Sequence, residues 1–390
     1  MPFYILDFQN RNLLMFKLLA VFAAALVLAY LSEQNTKATI AAGRRYSVWG
    51  DWAYIALVVV LTLFAGLRTS YNDTGMYMRS FSSAPAVSEF LGNPENLNPF
   101  RNPLYMLYRS ALREITDNPQ ILIFTTSAFT QICFVRFIKR YSDNFTFSIF
   151  IYFGLGTFVF TLAALKQVVA MAIITLAFPY LTENKLVRYY LLMITAMLVH
   201  TYAIAFALLP LFRVRPWRAF TFLFIAMMAV IVMNFESVIT SFLEQAEELG
   251  KSVSEEEVFA DATINVFRLA VYSVAPIISL FFQKWILQDS SDVDHLLVHM
   301  SILSFAFMFM GTQAGANMFG RMGNYFELGT ICCLPRMLSK TFNSRSNKLV
   351  TAIACVCFFG FFFYANAINL KFGQVYCSIS LIDFIASIIH

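Results

Sequence analysis

The sequence predicts an all-α integral membrane protein, and three observations predict it. Of 390 residues, 59% are hydrophobic and only 13% charged, about half the charged share of a soluble domain, which is near 25%. The mean hydropathy is +0.66, and repeated apolar runs approach the about 20 residues that cross a bilayer as a helix. The alternation of a membrane β-barrel is absent, so a helical bundle is left as the way to satisfy the backbone in lipid. The expected architecture is one polytopic domain over residues 1–390 with about eleven or twelve spans. Its outer loops fall at about residues 68–118 and 236–267. A net charge of +5 is no nucleic-acid signature, because basic residues in such a chain gather in cytoplasmic loops. The six cysteines show no metal-binding spacing and read as small apolar fillers.

Span one is expected at about Leu13–Leu31. It is long for a signal-peptide core and has no clear small-residue cleavage site before Glu33. Lys37, Arg44 and Arg45 put the next loop on the cytoplasmic side. Span two, Trp52–Leu67, then leads outward to a polar stretch, RTSYNDTGMYMRSF, from Arg68 to Phe81. Charges at the end of a span are costly unless hydrated or paired, so this stretch reads as the floor of a water-filled site. There Asp73 either acts on substrate or pairs with Arg68 to hold the loop. The following NPENLNPFRNP is too rich in proline for a helix interior. In LYMLYRSALREI the apolar residues recur at helical spacing, with Arg109, Arg113 and Glu114 on the other side.

Span three, Ile121–Phe137, returns to Arg136, Lys139 and Arg140. Span four, Phe145–Leu165, runs outward, and Lys166 and Gln167 follow with no loop residues to spare before span five, Val168–Leu181. The run Tyr189–Phe212 is either one tilted span or two short helices meeting near His200. Basic flanks on both sides favour the broken pair, which broken membrane helices permit when they line a cavity. Span eight, Ala219–Phe235, exits to an acidic segment in which Glu236, Glu244, Glu247, Glu248, Glu255, Glu256, Glu257 and Asp261 face only Lys251. That segment reads as a solvated acidic cap with an amphipathic helix in SVITSFLEQAEEL. Spans nine to twelve follow at Leu269–Ile286, Leu296–Met310, Met322–Leu338 and Leu349–Ile368, with Arg268 and Arg321 at outer ends and an outer tail at the close.

On this path Arg68, Asp73, Lys166, Gln167, His200, Arg268 and Arg321 all come to one outer side. Four cations there point to an anionic substrate entering from the membrane, and a lipid-linked pyrophosphate fits. Arginine holds such an anion bidentately, and neutralising a leaving pyrophosphate stabilises the transition state of a transfer. Asp73 or His200 serves as general base for an attacking hydroxyl, and Tyr71, Tyr77 and Phe81 offer faces to sugar rings. The plain alternatives are arginines that snorkel to headgroups and a core histidine that only bonds its neighbours. His295, His299 and His390 carry no assignment.

The same motifs resemble the EpsG family of bacterial exopolysaccharide and capsule polymerases, related to Wzy. GLRTSYNDTGMYMRSF matches its Arg and Asp-Tyr motif after the second span, and NPLYMLYRSAL its short helix. ALKQVVAMAI matches a span entered by an Arg-Gln pair, AMLVHTYAIAFALLPL a helix ending in His, and GRMGNYFELGTICCLP an Arg before a Tyr-Phe pair and a later Pro. Two departures mark this chain: Lys166 stands for the Arg of the pair, and Asp73 is followed by Thr74 rather than Tyr. The resemblance implies a glycosyltransferase of the metal-independent, multispanning GT-C type, needing no cofactor or metal. It implies that undecaprenyl-diphosphate-linked repeat units are joined at the outer face of the bacterial plasma membrane, by inverting transfer with lipid pyrophosphate as leaving group. In this reading Arg68, Lys166, Arg268 and Arg321 hold pyrophosphate. Asp73 or His200 is the base, and Gln167, Tyr77 and Tyr325 position sugar or phosphate. The implied partners are the lipid-linked oligosaccharide and the bilayer, with a chain-length regulator left open. The rivals are a lipid-linked oligosaccharide flippase, whose two related halves the chain lacks, and an outer-face ligase or a membrane acyltransferase. The Glu-rich segment could hold a divalent cation, but its sequence shows no metal site.

Overall fold

The computed structural model describes residues 2–234, 240–241, 244–245, 263–313, 316–368 and 375–389. Helix α1 (Pro2–Ala41) is followed by α2 (Trp52–Gly66). Asp51 caps α2 by accepting from the backbone N–H groups of Ala53 and Tyr54. It also accepts from Ser32 (2.7 Å), Asn35 (2.9 Å) and Tyr46 (2.8 Å), which locks the α1–α2 turn. After α2 come strand β1 (Arg68–Ser70) and helices α3 (Thr74–Ser82), α4 (Val87–Gly92) and α5 (Pro103–Ile115). The expected outer loop is therefore mostly helical, with Pro103 in the first turn of α5, where its missing N–H is harmless.

Helix α6 (Gln120–Tyr141) returns, and Gln120 donates to the carbonyls of Gly66 (2.6 Å) and Arg68 (3.0 Å). The fourth expected span is two helices, α7 (Phe145–Gly154) and α8 (Thr157–Ala163), bent by 52°. The bend falls at Gly156, whose φ of +83° is open to glycine at no steric cost. A single residue, Ala164, separates α8 from α9 (Leu165–Thr182). Then α10 (Leu186–Val199) stops at His200, and a 3-10 helix (Thr201–Arg213) runs back along it. The Tyr189 hydroxyl donates to Phe206 O (2.5 Å), the Tyr190 hydroxyl to Ala207 O (3.3 Å), and Arg213 donates to Asn184. These contacts lay the 3-10 helix back along α10, so the chain reverses at His200, the broken pair that the basic flanks favour.

Helix α11 (Ala219–Met233) precedes the acidic segment, which lies almost wholly outside the described residues together with its expected amphipathic helix. Beyond it stand α12 (Val266–Phe281), α13 (Gln283–Ile286), α14 (Asp292–Met310), α15 (Ala316–Asn324), α16 (Glu327–Thr341) and α17 (Ser344–Phe363). Span eleven was expected from Met322, but Met322 belongs to α15, and the helix that follows starts only at Glu327. Among the described residues five helices are long and apolar enough to cross a membrane: Leu14–Ala41, Gln120–Tyr141, Leu165–Thr182, Asp292–Met310 and Ser344–Ile368. The bent α7–α8 pair makes a sixth, and shorter apolar helices include α2, α10, the 3-10 helix and α12. The chain is an all-α, multispanning membrane protein.

The tail turns back. Strand β2 (Cys377–Ser378) pairs antiparallel with β1, setting Arg68 opposite Ser378 and Ser70 opposite Cys377. The Tyr376 hydroxyl donates to Phe64 O (2.7 Å), and the two rings stack at 4.6 Å. Helix α18 (Leu381–Ile389) follows, with Phe384 against Phe124 at 4.7 Å.

Candidate active site

Helices that alternate in direction bring α2, α8, α10 and α14 to an end, and α6 and α9 to a start, on one side of the bundle. The polar residues singled out above meet there.

Arg68 lies fully buried at the start of β1. Its Nε donates to Thr74 Oγ1 (3.2 Å), and its Nη1 to Ser127 Oγ (3.1 Å) and to the Ala65 carbonyl. Burial lowers its pKa to about 10, and Tyr376, Tyr77, Tyr71 and Tyr105 act against that, so it stays cationic at neutral pH. Its Nη2 is buried without a partner. Asp73 is not its ion-pair partner: the half-buried carboxylate at the start of α3 makes no hydrogen bond or ion pair among the described residues. Tyr71 and Phe81 do not face a sugar site as expected; at 2% and 0% exposure they are core.

Tyr77 links α3 to the next elements. Burial pushes its hydroxyl up to about 12, with Asp73 adding to the rise and Arg321, the Lys166 backbone N–H and Arg68 opposing it. At neutral pH it is therefore a protonated donor beside both a carboxylate and a cation. Lys166 and Gln167 open α9. Gln167 donates to the backbone carbonyl of Arg321 (2.6 Å), tying α9 to α15, while its own Oε1 is buried and unpaired. Lys166 is half-buried, and the charges it feels are those of Arg321 and Arg109, both of its own sign. Among the described residues neither Lys166 nor Arg321 has a side-chain hydrogen bond or a carboxylate within ion-pair distance.

Arg109 is a member that sequence reasoning missed. It was placed on the polar side of an amphipathic helix, and the fold turns that side toward Lys166. It donates to Ser80 and keeps a buried Nε without a partner. Arg268 stands further along the wall, donating to Asn324 Oδ1 (3.0 Å) and lying 5.6 Å over the Tyr272 ring. Glu327 was also missed, although it sits in the quoted NYFELG run. Thr157 donates to one of its oxygens at 2.6 Å and Tyr272 to the other, so both are satisfied in a fully buried site.

His200 closes the arrangement. Its Nδ1 and the Tyr325 hydroxyl are 2.8 Å apart, with ring centroids at 6.0 Å. The apex is held by the proline-rich loop: Thr201 donates from its backbone to Asn102 Oδ1 (3.2 Å) and from its hydroxyl to Phe100 O (3.1 Å). Asn102 has φ +57°, a left-handed conformation that asparagine tolerates. Among the described residues no three His, Cys, Asp or Glu converge where they could hold a metal ion.

The order of these groups along the chain is the family pattern met in the sequence, and the model of the EpsG family matches residues 51–376. The chain belongs to the EpsG family. Every residue of the site lies inside the matched region, as does Tyr376, which straps the tail to the end of α2. Membership in the EpsG family supports a polysaccharide-polymerase-like role in a multi-pass membrane protein. No curated protein and no solved structure matches the chain significantly, so the GT-C likeness rests on the sequence resemblance alone.

Proposed function

We propose that the protein is a polymerase that joins undecaprenyl-diphosphate-linked oligosaccharide repeat units at the outer face of the bacterial plasma membrane. The observation that carries this reading is the crowding of Lys166, Arg321 and Arg109 with no carboxylate paired to them among the described residues. Like charges held together in a poorly hydrated place are unfavourable unless an anion completes them. A diphosphate supplies that anion at the membrane surface.

In the proposed reaction a hydroxyl at the non-reducing end of the incoming unit attacks the anomeric carbon of the growing chain. The new carbon–oxygen bond forms as the bond to the diphosphate oxygen breaks, which inverts that carbon. The electron pair leaves with the lipid diphosphate, whose growing charge meets Arg321, Lys166 and Arg109, with Arg268 further along. The attacking proton passes to Asp73. Tyr77 donates to a phosphate or sugar oxygen. Gln167 fixes Arg321 through its backbone and has one amide oxygen to offer a sugar hydroxyl. Arg68, enclosed on all sides, acts as a positioning residue that sets the turn carrying Asp73 and adds positive field. Asp73 is preferred to His200 as base because its carboxylate is unengaged among the described residues, whereas the His200 ring is held by Tyr325; Tyr325 orients that ring. A chain-length regulator at the acidic segment stays a proposal without support from the described residues.

The test is turnover in vitro. Purified protein is mixed with a short undecaprenyl-diphosphate-linked unit, with chelator and without nucleotide sugar. A ladder of longer lipid-linked glycans is expected. Binding without a ladder would contradict the reading and favour a flippase, seen as transfer of the unit across a vesicle, or a ligase, seen as transfer to a separate acceptor.

A further inference from the structure

An apolar cleft of about 380 Å³ lies between α5, α6, α9 and α10. Leu104, Tyr105, Phe129, Val169, Ile173 and Val199 are among its walls. The volume is within the usual range of ligand pockets, roughly 300–1,000 Å³. Two of its three polar wall groups are already engaged within the protein: the Thr126 hydroxyl bonds Leu122 O (2.5 Å), and the Tyr108 hydroxyl bonds Thr125 (2.5 Å), which leaves the Tyr105 hydroxyl. The walls offer an occupant carbon and little else.

Three connections join this cleft to the cationic cluster. Val169 follows Lys166 by three residues on α9, and so stands on the same helical face. Val199 immediately precedes His200. Tyr105 forms the joint itself. Its ring lines the cleft and lies 6.3 Å from the Tyr77 ring. Its hydroxyl is buried without a hydrogen-bond partner, among the charges and hydroxyls of Tyr77, Arg109 and Arg68. One tyrosine thus presents an apolar face to the cleft and an unused donor to the anion site.

We propose that the cleft seats the isoprene units nearest the diphosphate of the lipid carrier, with Tyr105 donating its hydroxyl to a phosphate oxygen at the joint. This rests on the reading of the cluster as a diphosphate site. A cleft of this size takes only the first few isoprene units, and the rest of the tail runs on into the bilayer. A single apolar slot beside three clustered cations fits a one-chain diphosphate better than a two-chain phospholipid bearing one phosphate. Seating the branched isoprenoid here would fix the scissile end relative to Asp73, so the tail serves for positioning as well as for anchoring. Tyr105 and Arg109 stand four residues apart on one face of α5, so the residue at the joint and a cation of the head site follow each other along that helix.

The experiment compares two probes bound to the full-length protein in nanodiscs: methyl diphosphate, which has a head alone, and geranyl diphosphate, which adds two isoprene units. Wild type is expected to bind geranyl diphosphate more tightly. Ile173→Trp and Val169→Phe, which fill the cleft, are expected to weaken geranyl diphosphate by roughly tenfold. Both should leave methyl diphosphate unchanged, which also shows that the variants are folded. Tyr105→Phe should weaken both probes by a similar factor. A geranyl advantage that survives both filling variants would overturn the proposal. If methyl diphosphate fails to bind wild type, the diphosphate reading itself falls and takes the proposal with it. As a second readout, a diazirine in the first isoprene unit should label peptides of α5, α6, α9 or α10. Labelling elsewhere, or its loss to competing phosphatidylglycerol vesicles but not to unlabelled geranyl diphosphate, would contradict the assignment.

Discussion

Two groups of cations at opposite ends of the helical bundle are treated in opposite ways. At the end where α2 starts and α9 stops, Arg213, Arg336 and Lys185 are paired. Arg213 meets Asp292 at 2.8 Å, Arg336 meets Asp294 at 3.1 Å and Asp143 at 3.4 Å, and Lys185 meets Glu183 at 2.6 Å. Even the buried Asp51 carboxylate has three side-chain donors. At the end where α2 stops and α9 starts, Lys166, Arg321 and Arg109 crowd together with no carboxylate paired to them among the described residues. Both ends belong to one fold with the same residue types available, so helix ends as such do not explain the contrast. The chain itself supplies the partners of the first group; in the proposed function, the substrate's anion completes the second.

Substitutions sharpen that comparison. The largest effect is expected at Asp73: Asp73→Asn should lower the rate of chain extension roughly 100- to 10,000-fold, the usual worth of a general base. Single-turnover transfer from a lipid-linked unit measures it, and a smaller loss there than in His200→Ala would exchange the two roles. Next, Arg321→Ala should cost roughly 100- to 1,000-fold and abolish long-chain product at a normal protein level. Arg336→Ala at the paired end should keep chain length and cost less than about 1 kcal/mol of stability, as partly exposed pairs do. Equal chain-length loss in the two variants would erase the distinction between the ends. Tyr77→Phe should raise the KM for the lipid-linked unit about tenfold, the worth of one hydrogen bond to a charged group, and leave folding intact.

The smallest effect lies at the paired end and depends on pH. Burial raises the Asp51 pKa, but donors on Asn35, Ser32 and Tyr46 more than offset it, so the folded value lies below the ordinary 3.8. A depressed carboxyl stabilises the fold above its unfolded pKa and ceases to do so as pH falls through the folded value. Thermal melts of wild type and Asp51→Asn should therefore differ by a constant amount from neutral pH down to about 5, and converge below about 4. A gap that widened in acid would contradict the assignment of Asp51 as a satisfied carboxylate.

Much of the site was legible because membrane sequences make polar residues conspicuous. Lys166 between two apolar runs with almost no loop pointed to a cavity, and basic flanks on both sides of Tyr189–Phe212 favoured a reversal near His200 over one tilted span. Other features were hidden for definite reasons. Arg109 looked like an interfacial charge because nothing local says which way an amphipathic helix turns. Glu327 stood in a quoted motif, but its partners Thr157 and Tyr272 lie 170 and 55 residues away. The tail could not be seen to return to Arg68, since β1 and β2 are only three and two residues long and carry no periodic signal. Arg68 itself was read as facing substrate, because charge near a span end is visible in sequence and the enclosure made by Ser127 and Tyr376 is not.

The most direct test of the second group is the thermal stability of Arg321→Gln in nanodiscs, with and without undecaprenyl diphosphate. Removing one of several like charges should leave the ligand-free protein as stable as wild type or more so, and should erase most of the stabilisation the ligand confers. A variant that melts lower without ligand, yet keeps the full ligand-induced shift, would show that Arg321 is a structural cation with an unseen partner and would contradict the account.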